Sequence, residues 1–210
     1  MVLLVAVLPN FGCRSALATA MYLVKGTDVE PDFKGLKEKK VAVVCRPLVS
    51  LQYRNANAGR NLAKQITLLL QEKVPKIKTI DQRKVNNWTD ENMWQEYAEV
   101  GQAVGADMVV GIDLESFSIF QGQTLYQGKA NATIRVFDCA TETALEDGPI
   151  FEKIIPQSVY PPNSAVPTSD RTEPEFRREF IHVLADQIAR HFYAHDPHAD
   201  MTLDTTALRQ

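Results

Sequence analysis

The hydrophobic pattern in the first half of the chain predicts a strand, a helix and a second short strand. The apolar, β-branched run at 41–45 is typical of a buried strand. Apolar residues then recur every three or four positions over 58–74, which predicts an amphipathic helix that ends at Pro75. A short strand is expected at 77–80.

A second helix is expected in the middle of the chain. The polar stretch 81–92 is interpreted as a connection, and residues 93–104 are predicted to be helical, with Met93 on the apolar side. Asp90 or Asn92 would serve as the N-cap of this helix.

A hairpin follows this helix. Gly105 is expected to end the helix, because glycine adopts the left-handed conformation of a C-cap. A strand is predicted at 107–119 and a turn at Gly122. Over 129–136 apolar and polar residues alternate, which indicates an antiparallel strand with one buried face.

The C-terminal part of the chain predicts one more strand and a long helix. The strand is expected near 150–159, before a Pro- and Ser-rich loop at 160–170. The sequence 172–175, Thr-Glu-Pro-Glu, is a capping box with proline in the first turn. Large apolar residues then recur every four positions: Phe176, Phe180, Leu184, Ile188 and Phe192.

These elements predict an α/β (α+β) fold: a mixed sheet of about five strands with helices packed on it and a long C-terminal amphipathic helix. The chain divides into a signal peptide with its lipid-attachment motif at 1–13, a linker at 14–37, one mixed α/β domain at 38–196 and a flexible tail at 197–210.

The N-terminus carries the strongest indication of location. Residues 2–8, VLLVAVL, are an uninterrupted apolar run, far shorter than the roughly 20 residues of a membrane-spanning helix. Gly12 and Cys13 follow, and a small residue before a cysteine behind an apolar run resembles the bacterial lipobox, in which the cysteine receives lipid. Asn10 stands where the lipobox usually has Leu. The alternative is a cytoplasmic protein with an apolar N-terminal strand and an ordinary thiol at Cys13.

Composition and charge exclude several classes of protein. With 45% hydrophobic and 23% charged residues the chain is neither disordered nor of low complexity. The net charge of −3 argues against broad nucleic-acid binding. The charge is uneven, however: residues 1–54 have eight Lys and Arg against four Asp and Glu, whereas 105–210 have eight against sixteen. A basic segment beside an apolar N-terminus suits a chain that begins at an anionic membrane, and ordinary surface charge is the alternative.

Motifs for catalysis and cofactors are weak. His191 and His195 have the i, i+4 spacing at which one helix face can share a metal ion, but the Glu of the catalytic zinc motif is absent. Favourable contact with a helix C-terminus is a sufficient explanation for both histidines. No glycine-rich turn follows the first strand, so no nucleotide or other cofactor is expected. Asp113 and Glu115 are interpreted as exposed strand charges, and Trp94 as a core residue beside Met93 and Tyr97.

The cysteines leave two interpretations open. If Cys13 carries lipid, Cys45 and Cys139 remain, and these could pair in an oxidising compartment. Burial of both as small hydrophobic residues is the alternative.

Several segments together resemble known envelope proteins. Three features carry the resemblance: the strand at 41–45, the helix after it, and the segment 104–111, Val-Gly-Ala-Asp-Met-Val-Val-Gly, which precedes a hairpin. They look like the periplasmic α/β domains of the curli-secretion lipoprotein and of lipoprotein activators of cell-wall synthases. They also look like the N-terminal domain of the Tol–Pal translocation protein. The whole chain is similar to uncharacterised planctomycete-type lipoproteins. The resemblance implies the fold, a cell-envelope location facing the periplasm, and partner binding without catalysis.

The sequence thus predicts a non-enzymatic envelope lipoprotein, anchored in a membrane by lipid on Cys13, that associates with envelope proteins or with copies of itself. The alternative is a soluble metal-dependent hydrolase that uses His191 and His195.

Overall fold

The structure is a computed structural model that describes residues 28–47, 57–141 and 147–197. The chain divides into two compact units. The larger unit, Pro31–Tyr193, contains the sheet and the helices. The smaller unit comprises residues 1–30 and 194–210, and in its described part Val29 and His195 form an isolated antiparallel bridge, with N···O distances of 2.8 and 3.2 Å.

Some predictions fall outside the described residues. The signal segment at 1–13, including Cys13, lies outside them, as do most of the linker 14–37 and all but the first residue of the tail 197–210. Where the linker is described, Leu36 is buried, and Phe33 packs against the core. The larger unit therefore begins at Pro31, seven residues before the expected domain boundary.

The larger unit is built on one mixed sheet. Its strands are β1 (Lys40–Pro47), β2 (Lys78–Thr79), β3 (Met108–Gln121), β4 (Leu125–Asp138), β5 (Phe151–Tyr160) and β6 (Val166–Pro167). The strand order is β2-β1-β3-β4-β5, and β6 also pairs with β4. Strand β1 is parallel to both of its neighbours, whereas β3, β4 and β5 are antiparallel. The predicted α+β class with a mixed sheet is confirmed.

Helices cover both faces of this sheet. They are α1 (Ala58–Lys73), α2 (Gln82–Glu91), α3 (Tyr97–Val104) and α4 (Glu173–Ala189), which continues into a 3₁₀ turn, Arg190–Phe192. Alternate residues of β1 point to opposite faces: Val41 and Val43 pack with α1 and α4, and Ala42 and Val44 pack with α2 and α3. The sheet therefore separates two hydrophobic cores.

Three of the sequence patterns are confirmed in detail. The apolar face of the segment 129–136 is fully buried, and so are the apolar positions of α4. The C-terminal helix begins after Thr172, whose backbone N–H donates to Glu175 Oε2 at 3.1 Å in the predicted capping box. Gly105 ends α3 with φ of 74°, as a left-handed C-cap requires.

The polar stretch 81–92 is a helix rather than the expected connection. Asp81 caps α2 by accepting a hydrogen bond from the Arg83 N–H at 2.8 Å. Val85 is the one fully buried side chain of this helix. A helix that buries so little has no apolar period to detect in the sequence.

The helix predicted at 93–104 begins later, at Tyr97. Glu96 and Glu99 form a capping box at its start, instead of the expected caps at Asp90 or Asn92. Met93 is fully exposed, so its predicted place on the apolar side is wrong. Within the described ranges, no helix is both long enough and apolar enough to cross a lipid bilayer.

Candidate functional site

Asp113 on β3 is the centre of a polar cluster that also contains Arg46, Tyr97 and Arg135. The Tyr97 hydroxyl donates to Asp113 Oδ1 at 2.8 Å, and Arg46 Nε donates to the same oxygen at 3.1 Å. Arg135 donates to Asp113 Oδ2. The Asp113 carboxylate thus accepts hydrogen bonds from three side chains, and the two arginines among them balance its negative charge. The Asp113 side chain is only 21% exposed.

Tyr97 reaches Asp113 because Gly111 leaves space on β3. A Cβ atom at Gly111 would lie 2.7 Å from Tyr97 Cγ, so the ring packs directly on the strand backbone. Burial, followed by the charge of Asp113, raises the pKa of Tyr97. The phenol is therefore a hydrogen-bond donor in this cluster, and its neutral form is the stable one.

Arg46 connects the polar cluster to the segment before α3. Its guanidinium lies 4.7 Å from the Tyr97 ring centroid and 5.2 Å from that of Trp94, and its Nη1 donates to the Gln95 carbonyl at 2.8 Å. Trp94 packs against the core that Ala42 and Val44 form with α2 and α3, and it lies beside Tyr97 as expected from the sequence, whereas Met93 is exposed.

A cleft of about 510 Å³ lies at the carboxyl end of β1, between α1 and α2. Its lining is about equally polar and apolar and comes from β1, the two helices and Trp94. The lining includes Arg46, Arg60, Gln82, Asn86, Asp90 and Trp94.

An ion pair joins the two helices at the cleft. Arg60 Nη2 on α1 lies 2.5 Å from Asp90 Oδ1 on α2, and both side chains are about half exposed, at 52% and 49%. An exposed pair of this kind contributes between about 0 and 1 kcal/mol, so it opens at little cost.

Side-chain amides hold the inner part of the cleft in place. Gln82 Nε2 lies 3.2 Å from both the Val43 carbonyl oxygen and Asn86 Oδ1. Thr67 Oγ1 lies 3.2 Å from Gln82 Oε1 and 2.8 Å from the Ala63 carbonyl oxygen. Asn86 Oδ1 accepts a hydrogen bond from Gln82, so the Asn86 Nδ2 group is the part of this amide that can donate to a ligand.

The two candidate metal ligands lie in different kinds of structure. Helix α4 ends at Ala189, so His191 falls in the 3₁₀ turn, and His195 takes part in the backbone bridge with Val29. The helical i, i+4 geometry expected for the pair is therefore absent. Among the described residues, no group of three or more His, Cys, Asp and Glu side chains is placed to hold a metal ion.

His191 has a carboxylate partner instead. Its Nδ1 lies 2.7 Å from Asp32 Oδ2, and Lys153 Nζ lies 3.0 Å from the same oxygen. Hydrogen bonds from Lys153 and then from His191 lower the pKa of Asp32. These contacts tie the beginning of the larger unit to β5 and to the turn after α4.

Cys45 and Cys139 are free thiols on opposite faces of the sheet. Burial and then the charge of Asp113 raise the pKa of Cys45. Burial and then Asp138 raise the pKa of Cys139 to about 11. A raised pKa leaves little thiolate at neutral pH, so neither thiol is activated as a nucleophile.

Sequence reasoning missed both the polar cluster and the cleft. Asp113 accepts hydrogen bonds in the cluster and is not the exposed strand charge that was expected. Glu115 lies on the same face and accepts from Thr133 Oγ1 at 2.7 Å. One signal was available for the cleft: Gln82, Asn86 and Asp90 follow i, i+4, i+8 spacing, which places them on one side of a helix.

Comparisons with known proteins found distant structural similarity and no sequence family. No protein-family model matches the chain, and no curated protein is significantly similar to it. Several solved structures are similar to it. The PelC dodecamer from Paraburkholderia phytofirmans has 10% identity and a TM-score of 0.45, with 78% of this chain and 93% of that chain covered. Lipoprotein GNA1162 from Neisseria meningitidis has 12% identity, 71% and 97% coverage and a TM-score of 0.37. A minor lipoprotein from Acinetobacter baumannii has 12% identity, 73% and 91% coverage and a TM-score of 0.35.

The chain therefore resembles bacterial lipoproteins in structure, at low sequence identity. Because the TM-scores are below 0.5, the resemblance supports no statement about function. The more specific likeness to the curli-secretion, synthase-activator and Tol–Pal domains stays a prediction.

Proposed function

We propose that this chain is a non-enzymatic envelope lipoprotein, attached to a membrane through lipid on Cys13, whose folded domain binds another envelope protein or a second copy of itself. The apolar run at 2–8, with Gly12 and Cys13 behind it, supports the anchor. A single acyl chain binds membranes only marginally, so stable attachment would use several chains or the basic residues Lys37, Lys39 and Lys40 as well.

The observation that carries the binding role is the edge of the sheet formed by β5. In the described strand order β5 is terminal, and Ile154 in this strand is 66% exposed, with Ile150 just before it 50% exposed. Edge strands that present apolar side chains are sites at which another chain can pair or pack. Pro156 in the same strand lacks a backbone N–H and limits continuous strand pairing. We therefore assign the contact mainly to side-chain packing around Ile154.

Incorporation of radioactive palmitate, followed by membrane fractionation, tests the anchor. We expect the full chain, expressed in a bacterium, to take up label and to sediment with membranes. Cys13→Ala should abolish both, whereas Cys45→Ala, the matched loss of a thiol, should change neither. A wild-type chain without label, or label retained in Cys13→Ala, would contradict the anchor.

Association through β5 is tested with Ile154→Asp. A charge at the centre of an apolar contact is desolvated without a partner, so we expect at least a tenfold loss of association, which corresponds to about 1.4 kcal/mol. The measurement is cross-linking in cells with identification of the product by mass spectrometry. Leu68→Asp is the matched control, because Leu68 is 49% exposed on α1. Equal cross-linking in both variants and the wild type would remove β5 from the proposal.

A further inference from the structure

We propose that the cleft between α1 and α2 binds a small organic anion, which Arg60 and Asn86 hold and which displaces Asp90 from Arg60. This site shares no residue with the proposed lipid anchor or with the β5 edge, so it goes beyond the proposed function. The ligand is a carboxylate or a phosphate monoester that carries a planar group.

The topology of the sheet places the cleft where open α/β sheets bind ligands. After β1 the chain passes through α1 on one face, and it reaches β3 through α2 and α3 on the other face. Strands β2 and β3 flank β1 on opposite sides and run parallel to it. The direction of the connections therefore reverses between β1 and β3, and open α/β sheets bind ligands outside the carboxyl ends of strands at such a point. The cleft lies at the carboxyl end of β1, one of these two strands.

The short length of β2 keeps this crevice open. Strand β2 pairs only with Lys40 and Val41, so no strand of the described part of the chain lies beside the edge of β1 beyond them. Gln82 takes part of that place by donating to the Val43 carbonyl. The cleft occupies the remaining space beside Val44–Pro47, and its volume of about 510 Å³ is within the roughly 300–1,000 Å³ of small-molecule sites.

The two arginines of the cleft differ in how readily their guanidinium groups can bind a ligand. Arg46 is engaged by Asp113, by the Gln95 carbonyl and by two aromatic rings, and these contacts fix its position. Arg60 has the exposed Asp90 as its partner. An incoming carboxylate or phosphate can accept two parallel hydrogen bonds from a guanidinium, which makes exchange for Asp90 favourable.

The remaining lining selects a polar ligand with a planar part. Asn86 lies one helical turn before Asp90, with its Nδ2 group left as the donor of the amide. The Trp94 ring also lines the cleft and supplies a flat apolar surface there. An anion seated between Arg60 and Asn86 thus places its attached ring near Trp94.

Nuclear magnetic resonance of the indole N–H groups tests this site, since the chain has two Trp residues. The probes are benzoate, phenyl phosphate and, as an uncharged analogue of benzoate, benzamide. We expect saturable shifts of the Trp94 signal with a dissociation constant of about 1 mM or lower for at least one anion, and no saturation with benzamide. The stronger of the two anions identifies a carboxylate or a phosphate as the preferred group.

Three variants determine whether Arg60 is responsible. Arg60→Gln should weaken binding at least tenfold, and Asp90→Asn should strengthen it severalfold, because Arg60 no longer has a competing carboxylate. Arg83→Gln is the matched control on α2, where Arg83 pairs with Asp81 outside the cleft lining, and it should leave binding unchanged. The absence of saturable shifts in wild type, or equal affinity in Arg60→Gln, would overturn the proposal.

Discussion

Asp113 illustrates what a single residue reveals only in three dimensions. Its donors Tyr97, Arg135 and Arg46 are 16, 22 and 67 residues away in sequence. From spacing alone, Asp113 and Glu115 share the exposed face of a strand, and nothing local indicates that α3 will cover one of them. The interpretation failed at this residue because long-range packing, which periodicity does not encode, decides burial.

Tyr97 provides a pH-dependent test of the polar cluster. Its raised pKa means that the folded state favours the neutral phenol. This contribution to stability is complete below the pKa of an unfolded Tyr, about 10, and is lost as the pH rises from there toward the higher folded pKa. Tyr97→Phe should therefore cost about 1 kcal/mol at pH 7, for the lost hydrogen bond, and should reduce the loss of stability above pH 10.

Urea unfolding at a series of pH values measures both effects. Tyr126→Phe is the control, because it removes the same atom from a buried ring in the other core. A Tyr97→Phe protein with the wild-type slope of stability against pH above 10 would show that the phenol does not titrate with unfolding. An unchanged stability at pH 7 would show that the hydrogen bond to Asp113 contributes nothing.

At the scale of elements, local signals explain which helices were predictable. Helix α4 has a capping box, proline in its first turn and buried residues at every fourth position, all within one short stretch. Helix α2 buries one side chain fully and owes its place to Asp81 and to the amides of Gln82 and Asn86. Of these residues, Gln82 reaches Val43 on β1 and Thr67 on α1, and such long-range contacts leave the sequence around α2 resembling a loop.

The capping box of α4 makes a prediction at this scale. The Thr172 N–H and hydroxyl both donate to Glu175 Oε2, at 3.1 and 2.7 Å, and these bonds lower the pKa of Glu175. Thr172→Ala should lower the free energy of unfolding by about 1 kcal/mol, because an N-terminal backbone donor loses its side-chain support.

Thermal and urea unfolding of Thr172→Ala beside Thr124→Ala check this value. Thr124 lies exposed in the turn between β3 and β4, where the same substitution should change stability by less than about 0.5 kcal/mol. Equal stability of the two variants would mean that the capping box is not formed in solution.

At the scale of the whole molecule, the class of fold was predictable, but the arrangement of strands was not. The alternation at 129–136 and the turn at Gly122 predict that β3 and β4 form a hairpin, as they do in the structure. Strand β5, the next strand along the chain, pairs with β4. Strand β1 instead pairs with β3, which lies much later in the chain: the paired residues Val41 and Met108 are 67 positions apart in the sequence. No local pattern specifies that partner, and the cleft depends on it.

The two ends of the larger unit are neighbours, with consequences for how the chain can be reconnected. The Phe33 N–H donates to the His191 carbonyl at 3.0 Å, and the rings of Phe33 and Phe192 are 6.3 Å apart. A short peptide joining residues 31 and 193 would span little distance, and a cut in the exposed turn at Gly122 would supply new termini. The domain thus suits circular permutation. In the permuted chain, a fused protein or a surface linker would be attached at the end of the β3–β4 hairpin instead of at residue 31.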